Sequence, residues 1–213
     1  MSHTTSVHML RHGEVFNPEK ILYGRIPGYK LSERGQAMAE IVADFFQDRD
    51  VTHLVASPLE RAQQTAEPLA RKLNLKINTD DNLIEADNVF EGQQVVGGAG
   101  SLRKPSSWRH LWNPFRPSWG EPYQAIADRM KLAVEAARHN SLGHESVLVS
   151  HQSPIWIARL AYENKRFIHN PTKRICNLAS VTTLTFKDAE LVNIEYFEPA
   201  ASLYKESTGG VGA

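Results

Sequence analysis

The apolar-rich run Val7-His8-Met9-Leu10 ends abruptly in Arg11-His12-Gly13-Glu14, and a second run, Val147-Leu148-Val149-Ser150, ends in His151-Gln152. Short runs that read as buried throughout, and stop at polar turns, are the strands of sheets covered on both faces. The intervening segments carry helical spacing. Ser32 stands as an N-cap before Met38, Ile41, Val42 and Phe45, Pro58 is placed for the first turn of a helix running to Leu73, and residues 121–138 repeat through Ile126, Met130, Ala133, Val134 and Ala137. Residues 155–162 complete the set, with further strands at 53–57 and near 76–78. Residues 180–186 and 191–197 alternate and read as a late hairpin. This order predicts an α/β fold, a single domain whose mostly parallel central sheet has helices on both faces.

A length of 213 residues suits one domain, expected over 1–200, with 201–213 as a disordered tail that shows no periodicity. Lys and Arg number 24 and Asp and Glu 24, so the balance of charge gives no pull towards nucleic acid or an anionic membrane. No apolar run reaches the roughly 18 residues of a membrane span. The single Cys176 excludes an internal disulfide framework and multi-cysteine zinc patterns, which fits a cytoplasmic setting. The oligomeric state is open, a homodimer included. Residues 101–120 concentrate Arg103, Lys104, Arg109 and Arg116 with Trp108, Trp112 and Trp119 and no acid. The stretch reads as a lid or insertion over an anionic small molecule, with helix packing and single-stranded nucleic acid as its alternatives.

In an open parallel sheet the loops beyond the carboxyl ends of the strands converge. Arg11-His12, the turn Ser57-Pro58-Leu59-Glu60-Arg61 and His151 are then brought together from distant parts of the chain. Two imidazoles and two guanidiniums at one point call for an anion, and the neighbouring cations favour neutral histidines. A neutral imidazole can attack phosphorus, while the guanidiniums offset charge on the phosphoryl oxygens. Such a site also needs an acid for the leaving oxygen.

The segments Leu10-Arg11-His12-Gly13-Glu14, Leu31-Ser32-Glu33-Arg34-Gly35, Ser57-Pro58-Leu59-Glu60-Arg61-Ala62 with Thr65-Ala66, Leu83-Ile84-Glu85 with Phe90-Glu91-Gly92, and Val149-Ser150-His151 together resemble the histidine phosphatase (phosphoglycerate mutase-like) superfamily. The resemblance implies a nucleophilic His12 that becomes a phosphohistidine, phosphoryl contacts from Arg11, Arg61 and His151, and Glu85 as the acid and later the base. It implies neither metal nor cofactor, and a small phosphate ester as the partner. Glu91 competes with Glu85 for the acid's role, and Asp87 lies between them. Asn17 and Gln152 are expected to contact phosphate, and Arg25 to reach the substrate. The chain departs from the pattern at Val15-Phe16-Asn17, one residue short of the usual Asn, and at Gln152, where Gly is usual. The Tyr-Gly-x-Leu-x-Gly-Leu pattern of cofactor-dependent mutases is replaced by Ala86-Asp87-Asn88-Val89-Phe90. A phosphatase is thus expected, before a mutase or a non-catalytic phosphate-binding protein.

Overall fold

The computed structural model describes residues 2–94, 120–170 and 173–204. Its centre is a six-stranded sheet of β1 Thr4–Arg11, β2 Val51–Ala56, β3 Ile77–Thr79, β4 Glu145–Ser150, β5 Val181–Lys187 and β6 Glu190–Phe197, in the order β3-β2-β4-β1-β5-β6. The first four strands are mutually parallel, whereas β5 runs antiparallel to β1 and pairs with β6 as a hairpin. Four α-helices accompany the sheet among the described residues: α1 Glu33–Phe46, α2 Glu60–Leu73, α3 Tyr123–Asn140 and α4 Gln152–Tyr162. The expected α/β architecture with a mostly parallel sheet is the observed one.

Alternate residues of β1 serve two cores. Val7 and Met9 pack with Ile126, Met130, Ile155 and Ile157 of α3 and α4, while Leu10 packs with Met38, Val42, Ala62 and Leu69 of α1 and α2. Both faces of β1 are therefore buried, which is why it reads as one run rather than as an alternating strand. His8 meets the Phe46 ring edge-on at 5.0 Å and bonds Thr183 and Glu145, each at 2.8 Å, so it packs and pairs within the sheet as a structural group.

β1 and β4 are neighbours, yet the chain leaves β1 for the α1/α2 face and β4 for the α3/α4 face. A crevice opens between the carboxyl ends of two such strands, the usual ligand position in open α/β sheets. The loop after β1 lies directly on α1. A Cβ added to Gly13 would stand 2.5 Å from the Gly35 carbonyl oxygen, and one on Gly35 2.0 Å from that of Glu14, so backbone meets backbone where only glycine fits. Ser32 caps α1, accepting from the Gly35 N–H at 3.0 Å and donating to the Glu14 carboxylate at 3.0 Å, which the Arg34 guanidinium also grips.

Several boundaries shift by a residue or two, and three differ for a reason that can be named. Helix α4 begins at Gln152 rather than after Pro154, because a proline in the first turn forfeits only an N–H with no intrahelical partner. Pro58 stands just outside α2, whose N-cap is Leu59. The tail expected from 201 begins inside the body: Ala201–Leu203 form a 3₁₀ turn, and the Tyr204 hydroxyl donates to the Leu178 carbonyl at 2.9 Å. Residues 205–213, and 101–119 of the basic tryptophan-bearing stretch, lie outside the described residues.

Candidate active site

His12 follows β1 directly, and its backbone N–H extends the ladder by donating to the Ser150 carbonyl at 3.1 Å. Its Nδ1 lies 2.7 Å from the Gly13 carbonyl oxygen. A carbonyl only accepts, so Nδ1 carries the proton and Nε2 of the neutral ring carries the lone pair. That Nε2 is buried and has no hydrogen-bond partner among the described residues. Burial, then the Arg61 and Arg11 guanidiniums, hold His12 well below the usual imidazole pKa.

His151 occupies the N-cap position of α4, its ring centroid 5.1 Å from that of His12. Its Nε2 lies 2.8 Å from the Ser57 hydroxyl, and its Nδ1 is buried without a partner among the described residues. Burial comes first again in depressing its pKa, ahead of Arg61, His12 and Arg11. Gln152, the first residue of α4, is not among the residues with positive φ, so its backbone makes no demand for glycine. Its side-chain amide donates to the Cys176 carbonyl at 3.3 Å.

The two arginines are held by main-chain carbonyls. Arg11 donates through Nη1 to Cys176 at 2.7 Å, and Arg61 through Nη2 to Gly24 at 2.6 Å. The Arg61 guanidinium also sits over the Tyr23 ring, 4.8 Å from its centroid. Thr65 joins the two halves, accepting from the Gly13 N–H at 3.1 Å and donating to the Arg61 carbonyl at 2.7 Å. This is the physical content of the Thr65-Ala66 element of the sequence pattern.

Glu85 is buried, with one carboxylate oxygen accepting from the Ala86 N–H at 2.8 Å and the other without a partner among the described residues. Burial raises its pKa, and the Ala86 N–H, Arg61, Arg174 and Arg11 oppose that rise only in part. Glu91, its competitor, is half-buried and accepts from the Arg25 backbone N–H at 2.9 Å.

Two expected substrate contacts are otherwise engaged. The Asn17 amide closes its own loop, donating to the Ile21 carbonyl at 2.7 Å and accepting from the Ile21 N–H at 3.0 Å. Arg25 braces the acid's segment: its Nε donates to the Glu85 carbonyl at 2.7 Å and its Nη2 to Glu121 at 2.9 Å. Glu121 in turn pairs with Arg129, which donates to the Asn82 carbonyl at 2.6 Å. Sequence reasoning missed Tyr23, Glu121, Arg129 and Arg174, none of which stands in one of the motif segments quoted above, although Glu121 and Arg129 fall in the stretch with helical spacing. Among the described residues no three His, Cys, Asp or Glu side chains converge to hold a metal. No helix among them is long and apolar enough to cross a membrane.

These buried histidines carry a prediction for stability. In the unfolded chain a histidine titrates near 6.5, whereas His12, His151 and His8 titrate lower when folded. The unfolded state therefore binds protons first as pH falls, and stability is lost progressively below about 6.5. Glu85, with its raised pKa, works the other way, its contribution being lost only as pH rises from about 4.5 to its folded value. The melting temperature of the ligand-free chain is expected to drop between about pH 7.5 and 5.5, and inorganic phosphate to raise it. A melting temperature flat across that range would contradict the buried neutral imidazoles.

A family model of the histidine phosphatase superfamily (branch 1) matches residues 7–198. The chain is 52% identical over 201 residues to the uncharacterized protein Rv0525 of Mycobacterium tuberculosis, covering 94% of this chain and 100% of that one. It is 30% identical over 151 residues to the probable phosphoglycerate mutase GpmB of Escherichia coli, 68% of each chain. In fold it is similar to Bacillus stearothermophilus YhfR (TM-score 0.76, 22% identity, 88% of this chain and 94% of that chain). It is similar also to the mycobacterial glucosyl-3-phosphoglycerate phosphatase Rv2419c (TM-score 0.73, 23% identity, 91% and 97%).

Proposed function

Because the chain belongs to the histidine phosphatase superfamily, we propose that it is a metal-independent phosphatase that hydrolyses a small phosphate monoester through a phosphohistidine on His12. The observation that carries this reading is the buried, unpartnered Nε2 of His12, fixed as a lone pair by the Gly13 carbonyl and faced by two guanidiniums. In the first step Nε2 attacks phosphorus, the P–O bond to the alcohol breaks, and Glu85 gives its proton to the departing oxygen. In the second, the Glu85 carboxylate takes a proton from water, whose oxygen attacks phosphorus as the P–N bond breaks. Inorganic phosphate leaves, and Glu85 ends protonated as it began. Arg11 and Arg61 offset charge on the non-bridging oxygens in both steps. His151 helps when Ser57 donates its O–H to Nε2, since Nδ1 then carries the proton and serves as a donor to the phosphoryl group.

The E. coli relative's name favours one second reading, a phosphoglycerate mutase that returns the phosphoryl group to an alcohol instead of to water. The chain at 86–90 lacks the mutase pattern noted above, which ranks hydrolysis first. Release of phosphate from a panel of monoesters in the presence of a chelator, with His12→Ala as the blank, tests the proposal. Fast isomerisation of 3-phosphoglycerate that depends on the bisphosphate, with negligible phosphate release, would reverse the ranking.

A further inference from the structure

Beside the phosphate-facing groups lies a cleft to which Glu85, Asp87, Glu121, Tyr123, Ser153 and Arg174 contribute. Arg174 is the cation of this set, and the reaction above does not use it. Its Nε donates to His169 Nε2 at 2.9 Å. His169 Nδ1 is in turn 2.6 Å from the Phe167 carbonyl, so this ring is the neutral tautomer with Nε2 as acceptor. The Tyr123 hydroxyl is the other side chain bonded to Arg174. Both partners are uncharged, and among the described residues no carboxylate forms an ion pair with Arg174. The carboxylate that influences it is Glu85, which in the proposed reaction is protonated when the substrate binds and so supplies no counter-charge at that moment. Of the cleft's other acids, Glu121 is neutralised by Arg25 and Arg129.

A half-buried guanidinium held by two neutral groups, at the mouth from which the alcohol departs, is an incomplete ion pair. We propose that Arg174 forms a second anion subsite, and that the preferred substrates are monoesters whose alcohol portion carries a further oxyanion, a carboxylate or a second phosphate. This rests on the phosphatase reading for the position of the ester, and it names the substrate class of that same site. The Ser153 side chain, in the first turn of α4, lies where it can add a donor. Residue 174 then selects the substrate without touching the reacting atoms.

Phosphonates, which bind but cannot be hydrolysed, separate this claim from the activity. Calorimetry would compare butylphosphonate, 4-phosphonobutyrate and propane-1,3-diphosphonate on the wild-type chain, on Arg174→Ala and on Arg174→Lys. The wild type should bind one of the doubly anionic ligands at least about tenfold more tightly than butylphosphonate. Whichever is favoured, the carboxylate or the diphosphonate, identifies the oxyanion. Arg174→Ala should abolish the preference while leaving butylphosphonate affinity within about twofold, and Arg174→Lys should keep part of it. Equal affinities in the wild type, a preference that survives in Arg174→Ala, or binding of none of the three would each overturn the subsite. A clear preference without hydrolysis of any matching ester, p-nitrophenyl phosphate included, would leave the subsite standing and overturn the phosphatase reading alone.

Discussion

Rapid quenching of the wild-type chain with a radiolabelled monoester should trap acid-labile, alkali-stable phosphate on the protein, and His12→Ala should trap none. Steady-state turnover of the variant is expected to fall by roughly 10⁴-fold or more, as when a covalent nucleophile is deleted from a site that keeps its electrostatics. The reason is specific to the atom. Nε2 of His12 is the buried lone pair that the Gly13 carbonyl leaves available, and the ring is neutral because burial and two guanidiniums oppose its protonation. The fold should survive, since the His12 side chain bonds only the carbonyl of the next residue, and unchanged circular dichroism would verify this. Equal trapping on both proteins would end the phosphohistidine mechanism.

Glu85→Gln should lose about 10²–10⁴-fold in kcat/KM on alkyl phosphates but far less on p-nitrophenyl phosphate, whose leaving group departs without a proton. The raised pKa of Glu85 keeps its acid form available above the usual carboxylate range, and the depressed pKa of His12 keeps the nucleophile neutral below the usual imidazole range. The pH profile of kcat/KM for an alkyl ester is therefore a bell. Its acid limb is set by His12, below about 6.5, and its falling limb by Glu85, above about 4.5. In Glu85→Gln the falling limb should vanish. Equal losses on both classes of ester would move the acid's role elsewhere, with Glu91 the first alternative.

The sheet was legible because each strand near the site is a short run ended by a polar turn, as at 7–12 and 147–151. The two imidazoles and two guanidiniums were legible because each sits at a strand's end or in the first turn beyond one. What escaped was set by pairing across the fold. Asn17 had the right residue type near the right place, but its amide satisfies the main chain of Ile21. Arg25 lay on the right loop, yet its guanidinium supports the Glu85 carbonyl and Glu121. Arg174 stood in a connection with no periodicity, and what singles it out, the lack of an ion pair with a carboxylate among the described residues, is encoded by no local pattern. The onset of α4 at Gln152 escaped for a milder reason, because Pro154 looks like a helix boundary although it is tolerated in a first turn.

The pairing of β1 with β4 has one more implication. Arg11 stands opposite Ser150 in the last pair of the ladder, so His12 and His151 each follow one residue beyond it, and their centroid separation of 5.1 Å is close to the roughly 4.8 Å spacing of adjacent strands. The gap between the two imidazoles is thus a lattice constant of the sheet. If the proposed phosphatase reading holds, substitutions in the surrounding loops should change the preference among esters while leaving this spacing in place.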